Sequence, residues 1–217
     1  MIKTVIFDMD GVIVDSEKLW HKRFHTFLLS YGIEVEETSL YKLIGIGPQE
    51  KTPVWKEILE GIEVPFPIEE TLSYMNARFP ITDIDYAPVL NPNIHTLLHT
   101  LRKQGIQTAI ASSAPPHLIQ IMIDQCNLEN EFDLVVSGSQ FHENKPHPEI
   151  YLHTAEQLGT LPENCLVIED SPVGIEAGKN AGMCVIAKED DTFGMDQSQA
   201  DYLINDLIQV LDILANL

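Results

Sequence analysis

Thr4-Val5-Ile6-Phe7-Asp8-Met9-Asp10-Gly11-Val12-Ile13-Val14-Asp15-Ser16 carries a short apolar run that ends in two carboxylates one residue apart. Val5-Ile6-Phe7 has the composition of a strand buried on both faces. The acids then fall where that strand leaves the sheet, at the carboxyl end where open α/β folds place their chemistry. A strand continuing regularly would point Asp8 and Asp10 to the same side, because strand side chains repeat with period two. Gly11 lets the chain bend there without a Cβ clash. Two close carboxylates repel unless a cation or a shared proton relieves them. A hard divalent cation such as Mg²⁺ meets that need. Taken alone, an Asp-x-Asp-Gly segment reads equally well as a solvated turn.

The same device recurs along the chain. Gln107 to Ser113 is a strand running into the hydroxyls of Ser112 and Ser113, followed by Pro115-Pro116 and a helix. Asp133 to Ser137 is a strand followed by Lys145-Pro146-His147-Pro148-Glu149-Ile150-Tyr151. Leu166-Val167-Ile168 leads into Glu169-Asp170-Ser171, and Pro172 and Gly174 open the next helix. Each end has an ordinary reading by itself: a serine cap, a salt-bridged surface lysine, a solvated acidic pair. Their common placement after apolar strands sets them apart. Asn91 to Gln104 reads as a helix ended by Gly105, Met183 to Ala187 as a strand, Tyr202 to Ile204 as a short edge and Leu207 to Leu214 as a closing helix. Strands alternating with helices imply a mostly parallel three-layer α/β fold.

In order, Asp8-x-Asp10-x-x-x-Val14, Ser112, Lys145 with its Lys-Pro-x-Pro-x-x-Tyr context, and Asp170 resemble the four motifs of haloacid-dehalogenase-superfamily phosphohydrolases. The similarity is to the branch containing β-phosphoglucomutase and sugar-phosphate phosphatases, and it spans essentially the whole chain. It implies a Rossmann-like core with Asp8 as the nucleophile forming an aspartyl-phosphate. Asp10 is then the general acid that protonates the leaving oxygen and later activates water. Ser112, with Ser113 extending the loop, is expected to meet phosphoryl oxygens. Lys145 is expected to neutralise Asp8 and the incoming group. The implied metal set is the Asp8 carboxylate, the Asp10 carbonyl and the Asp170 carboxylate, with Glu169 acting through water. Oxygen ligands with retained water suit Mg²⁺ better than zinc.

Residues 16–87 lack long β-branched runs and read as a helical insert between residues 1–15 and 88–217. Trp20, Phe24, Phe27, Leu28 and Tyr31 recur at helical spacing, with Ser16 or Asp15 as N-cap and Gly32 as the stop. Leu40 to Ile44, Thr52 to Leu59 and Glu69 to Phe79 read as further helices. The branch resembled has a helical cap here that closes over the active site and excludes water. Gly45-Ile46-Gly47-Pro48 breaks the helical pattern and corresponds to a substrate-specificity loop in relatives. Trp20 stands where the mutase carries a cap histidine, and Asp15-Ser16-Glu17-x-Leu19-Trp20 with Trp55 resembles the sugar phosphatases, including 2-deoxyglucose-6-phosphate phosphatase. Trp20 reads as a core residue on an amphipathic helix or as a ligand contact. Arg78 reads as a solvated helix residue or as a contact to sugar or phosphate. His21 and His25, four apart, read as surface residues because no carboxylate completes a metal spacing.

The chain has 217 residues, 33 of them acidic against 13 Lys or Arg, for a formal charge of -20. That excludes nucleic-acid backbones and anionic membrane surfaces as expected partners. Cys126, Cys165 and Cys184 sit apart in apolar contexts and read as buried thiols. A strand begins within a few residues of Met1, so no signal peptide is expected, and no apolar run reaches membrane-spanning length. The expectation is a cytoplasmic monomer that hydrolyses a small phosphorylated metabolite, a hexose or deoxyhexose phosphate, with a phosphohexomutase as the alternative.

Overall fold

The structure, a computed structural model, describes residues 1–44, 48–189 and 192–217. The chain divides into two compact units, Met1–Asp15 with Asp85–Leu217, and Ser16–Ile84.

The larger unit is built on six parallel strands: β1 (Thr4–Phe7), β2 (Gln107–Ser112), β3 (Leu134–Ser137), β4 (Cys165–Glu169), β5 (Cys184–Lys188) and β6 (Tyr202–Ile204). Their order is β3-β2-β1-β4-β5-β6, which puts β1 in the interior with β2 and β4 on either side. Parallel strands need crossovers, and helices supply most of them. Ile6, Ala109, Ala111, Val167 and Val185 cluster with Ile150 and Tyr151 of a helix at Glu149–Gln157 and with Ile175 and Ala177 of one at Pro172–Asn180. Val5, Phe7, Ile110, Ile168 and Ile186 alternate with them and are also buried. Helices therefore cover both faces, and the strands read as continuous apolar runs. Gly178 permits one close approach, since a Cβ there would come within 2.7 Å of Val185.

The smaller unit, among the described residues, contains helices and no strands. Its elements are α1 (Glu17–Leu29), a 3₁₀ segment (Glu37–Leu43), α2 (Pro48–Ile58), another 3₁₀ turn (Ile68–Glu70), α3 (Thr71–Arg78) and a last 3₁₀ turn (Ile81–Asp83). Phe24, Phe27 and Leu28 of α1 are buried with Leu40, Leu43, Trp55 and Met75. Phe24 meets Trp55 edge-on with ring centres 5.6 Å apart, an arrangement favoured by the ring quadrupoles. Residues 37–43 form a 3₁₀ helix where the apolar spacing suggests an α-helix. The Ser39 hydroxyl donates to the Glu36 carbonyl at 2.6 Å, a local bond of the kind that competes with regular helix formation. Ser16 stands at the N-cap of α1 but does not cap it. Its backbone is already helical (φ -78°, ψ -18°), and its hydroxyl donates instead to Glu17 at 3.2 Å. Tyr86 is joined to the larger unit, its N–H donating to the Gln125 side chain at 2.8 Å. No helix among the described residues is long and apolar enough to cross a membrane.

Candidate active site

Within the larger unit the carboxyl ends of β1, β2 and β4 bring together residues far apart in sequence. Asp8 directly follows β1, and its N–H still donates to Ile168 O of β4 at 2.9 Å, so the sheet fixes its main chain. Lys145, 137 residues away, reaches back from the loop after β3 to place Nζ 2.5 Å from Asp8 Oδ1. The same ammonium donates to Glu169 Oε1 at 2.6 Å and to the Ala111 carbonyl of β2 at 3.1 Å. Three donors and three acceptors leave it fully committed. The Lys145 side chain is only 5% exposed and that of Glu169 0%, so these charges act with little solvent screening.

Glu169 is the hub of the arrangement. Lys145 and Tyr151 donate to its Oε1, while the N–H groups of Asp170 and Ser171 and the Ser171 hydroxyl donate to its Oε2. Gly174 provides the space, because a Cβ there would lie 1.8 Å from Glu169 Oε1. Burial pushes Glu169 upward, but the charge and hydrogen bond of Lys145, with the other donors, hold it below the usual carboxylate range. Burial would lower Lys145, yet Asp8 and Glu169 raise it well above the usual ammonium value. Asp8 behaves differently. Burial, opposed by Lys145 and reinforced by the charges of Glu169 and Asp10, pushes it up to about 7. One ammonium does not balance the carboxylates around it.

That imbalance bears on a metal. Carboxylate oxygens of Asp8, Glu169 and Asp170 lie within 4.8 Å of one another, and they form the one such group of metal-capable side chains among the described residues. All three residues are buried. Gly11 adopts φ +77°, and a Cβ on it would lie 1.9 Å from Asp170 Oδ2, so glycine is what admits this carboxylate. A compact set of hard oxygen donors with surplus negative charge fits a divalent cation.

The loop carrying Asp10 is tied to the same unit. Asp10 forms a bridge with Val14, and Gly11 N–H donates to Val14 O at 2.8 Å. The Asn91 side chain donates to Val12 O, while its own N–H donates to Ile13 O at 2.9 Å. Ser112 is buried at the end of β2, its hydroxyl accepting from Ala114 N–H at 3.1 Å. Ser113 follows it and is exposed. His147 lies between Glu143 and Glu149, at 3.1 and 3.8 Å.

In the helical unit, Trp20 is half-buried with the Arg23 guanidinium 5.5 Å from its ring centre. Arg78 is exposed at the last turn of α3, 5.0 Å from the Tyr31 ring centre, and donates to Ser30 O. His21 and His25 are half-buried rather than on the open surface. Glu37 lies against both, its carbonyl 3.1 Å from His21 Nε2 and its carboxylate 3.8 Å from His25 Nδ1. Gly45, Ile46 and Gly47 lie outside the described residues.

Tyr151 ends the Lys-Pro-x-Pro-x-x-Tyr pattern, and no role follows for it from the pattern; its hydroxyl donates to Glu169 at 2.8 Å and its ring centre lies 5.0 Å from the Lys145 ammonium. Its position in the first turn of the helix Glu149–Gln157, on the buried side, is the signal that could have found it. Asn91 carries no such signal, since its side chain acts through a main-chain carbonyl.

Residues 5–188 match the haloacid dehalogenase-like hydrolase family. The chain belongs to that family. It is 33% identical over 185 residues to the phosphorylated carbohydrates phosphatase of Thermotoga maritima, covering 84% of this chain and 82% of that one. Hexitol phosphatase B of Escherichia coli K12 is 29% identical over 185 residues, covering 84% and 81%. Both relatives are named phosphatases. A crystal structure from Thermotoga maritima, provisionally described as a β-phosphoglucomutase, superposes with a TM-score of 0.79 at 28% identity, covering 100% of both chains.

Proposed function

We propose that this haloacid dehalogenase-like hydrolase is a Mg²⁺-dependent phosphomonoesterase acting on a small sugar phosphate through an aspartyl-phosphate on Asp8. The observation that carries the reading is the strand-end constellation of Asp8, Lys145, Glu169 and Asp170. A carboxylate at the end of an interior strand is held beside a single ammonium within an acidic cluster that needs a cation. The phosphorylated-carbohydrate and hexitol phosphatase names of its relatives support the substrate class.

In this reading an Asp8 carboxylate oxygen attacks phosphorus, and the bond from phosphorus to the sugar oxygen breaks. Asp10 donates its proton to that leaving oxygen. It then takes a proton from water, whose oxygen attacks phosphorus and releases inorganic phosphate from Asp8. Lys145 holds Asp8 oriented and offsets charge on the transferring group, and the Ser112 hydroxyl with Ser113 contacts its outer oxygens. Asp8, Asp170 and the Asp10 carbonyl would hold Mg²⁺, with Glu169 acting through water. The ion supplies charge neutralisation for the phosphoryl oxygens.

We assign the choice among substrates to the helical unit, 16–87 in the sequence reading, as a cap, with Gly45, Ile46, Gly47, Trp20 and Arg78 as its candidate contacts. An apolar loop discriminates by shape alone, about 1–3 kcal/mol per methylene, so moderate promiscuity is expected. The deciding experiment is a Mg²⁺-dependent phosphate-release screen over hexose, deoxyhexose, pentose, polyol and nucleoside monophosphates. Turnover concentrated on sugar or polyol phosphates supports the reading, and no release from any ester overturns it. Conversion of β-glucose 1-phosphate to glucose 6-phosphate with a bisphosphate activator would make the protein a mutase instead. Ile46→Ala should reorder kcat/KM values without erasing reaction of a small activated ester.

A further inference from the structure

We propose that Gln197 is a positioning residue that tunes divalent-cation affinity by fixing the main chain at Asp170. The inference rests on the reading above in which Asp170 is a ligand.

Gln197 lies in the connection between β5 and β6 and is 9% exposed. Its Nε2 donates to the Asp170 carbonyl at 2.6 Å and to the Lys188 carbonyl at 2.7 Å. The last rung of the β4–β5 ladder pairs Glu169 with Ala187, so Asp170 and Lys188 are the next residues on the two strands. Their carbonyls sit one step beyond the end of the ladder. A primary amide is suited to that gap, because it offers two N–H groups from one planar nitrogen and can satisfy both. The far side of Gln197 is anchored as well. Its carbonyl accepts from Ala200 N–H at 3.2 Å, and the Asp201 carboxylate accepts from Val185 N–H at 2.8 Å and pairs with Lys179.

Asp170 is thereby clamped at both main-chain groups, its N–H on Glu169 Oε2 at 3.0 Å and its carbonyl on Gln197. The carboxylate between these two bonds is the one that lies against Gly11. A ligand whose backbone is fixed loses less freedom when a cation binds. Partners that orient metal ligands in this way are typically worth about 10- to 100-fold in affinity. Glu at this position keeps the shape but turns acceptors toward two carbonyls, whereas Met keeps the length and offers no donor.

The test is Mg²⁺ binding by calorimetry to the substrate-free protein for wild type, Gln197→Glu, Gln197→Met and Asp170→Ala. Asp170→Ala should lose binding. Both Gln197 variants should weaken Mg²⁺ at least about tenfold, and the Mg²⁺ giving half-maximal rate should rise by the same factor. KM for substrate at saturating Mg²⁺ should stay within twofold. Wild-type affinity in folded Gln197 variants, with binding lost in Asp170→Ala, overturns the role of Gln197 alone. Undiminished binding in Asp170→Ala overturns the ligand reading itself. Should both Gln197 variants fail to fold, the wild-type side chain decides by NMR. Its amide protons should exchange slowly and shift on Mg²⁺ addition; solvent-like exchange with no Mg²⁺ response overturns the proposal.

Discussion

The Tyr151 hydroxyl donates to Glu169 Oε1 at 2.8 Å, beside the Lys145 ammonium that donates to the same oxygen at 2.6 Å. Burial and the Glu169 charge raise Tyr151 well above the usual phenol range, so the hydroxyl keeps its proton and remains a donor. Two donors on one oxygen fix where Lys145 stands, and Lys145 fixes Asp8.

Tyr151→Phe keeps the ring under the ammonium but removes one donor from a fully buried carboxylate. A loss of about 1–3 kcal/mol of stability is expected. The loosened Lys145 should lower kcat by roughly tenfold or more. Urea unfolding with steady-state kinetics checks both. Wild-type kcat alongside lowered stability would make Tyr151 a packing residue only.

Asp8→Asn removes the nucleophile and its charge at nearly constant shape, while Lys145 keeps Glu169 and Ala111 as partners. Turnover should fall by about 10³-fold or more, with folding retained. Rates on a sugar phosphate and capture of phosphorylated protein by mass spectrometry test this. Undiminished turnover in a pure preparation removes Asp8 from the mechanism.

The Asp8 shift has a definite sign in stability. Folding raises it from 3.8 to about 7, so between those values the folded, cation-free protein holds a proton that the unfolded chain has lost. Its contribution is complete below 3.8 and disappears as pH rises to about 7. Glu169, lowered from 4.5, runs the other way, losing its contribution only as pH falls below that value. Between pH 4.5 and about 7 the Asp8 contribution therefore dominates their combined slope. Without Mg²⁺, the Tm of wild type should fall relative to Asp8→Asn across this window, and Mg²⁺ should flatten the difference by stabilising the carboxylate. Thermal melts in EDTA and in Mg²⁺ measure it; parallel curves in EDTA would contradict the shift.

Gly11→Ala places a methyl where Asp170 Oδ2 lies and asks a non-glycine residue to hold φ +77°. The backbone strain costs about 1–2 kcal/mol before any clash. Mg²⁺ affinity should fall with stability, because the displaced group is a carboxylate of the acidic cluster. Chemical denaturation paired with a Mg²⁺ titration would show both. Unchanged Mg²⁺ affinity would mean that Asp170 moves aside without consequence.

Several features were legible without coordinates because their causes are local. Val5-Ile6-Phe7, Ala109-Ile110-Ala111 and Leu166-Val167-Ile168 are apolar runs too short for helices, and each proved to be a buried strand with polar residues at its carboxyl end. Asp8 and Asp170, quoted from such ends, lie together in one acidic cluster. Gly32, read as the stop of the first helix, follows α1, and residues 16–87 read as helical because they lack long β-branched runs.

Tertiary structure decided what those residues do to one another. The order β3-β2-β1-β4-β5-β6 sets β1 between β2 and β4, and brings Asp8, Ala111 and Glu169 within reach of Lys145. Glu169 reads in the chain as half of an acidic pair, yet register and burial made it an anchor for donors from three segments. Residues 37–43 form a 3₁₀ helix in which the Ser39 hydroxyl bonds the local backbone, and Ser16 does not cap α1, its backbone being already helical. Gln197 and Asn91 were invisible because a side chain bonding a distant carbonyl leaves no periodicity and no spacing. Local sequence sets dihedral preferences and the burial pattern, whereas which polar atoms meet depends on strand order and register, which the whole chain determines at once.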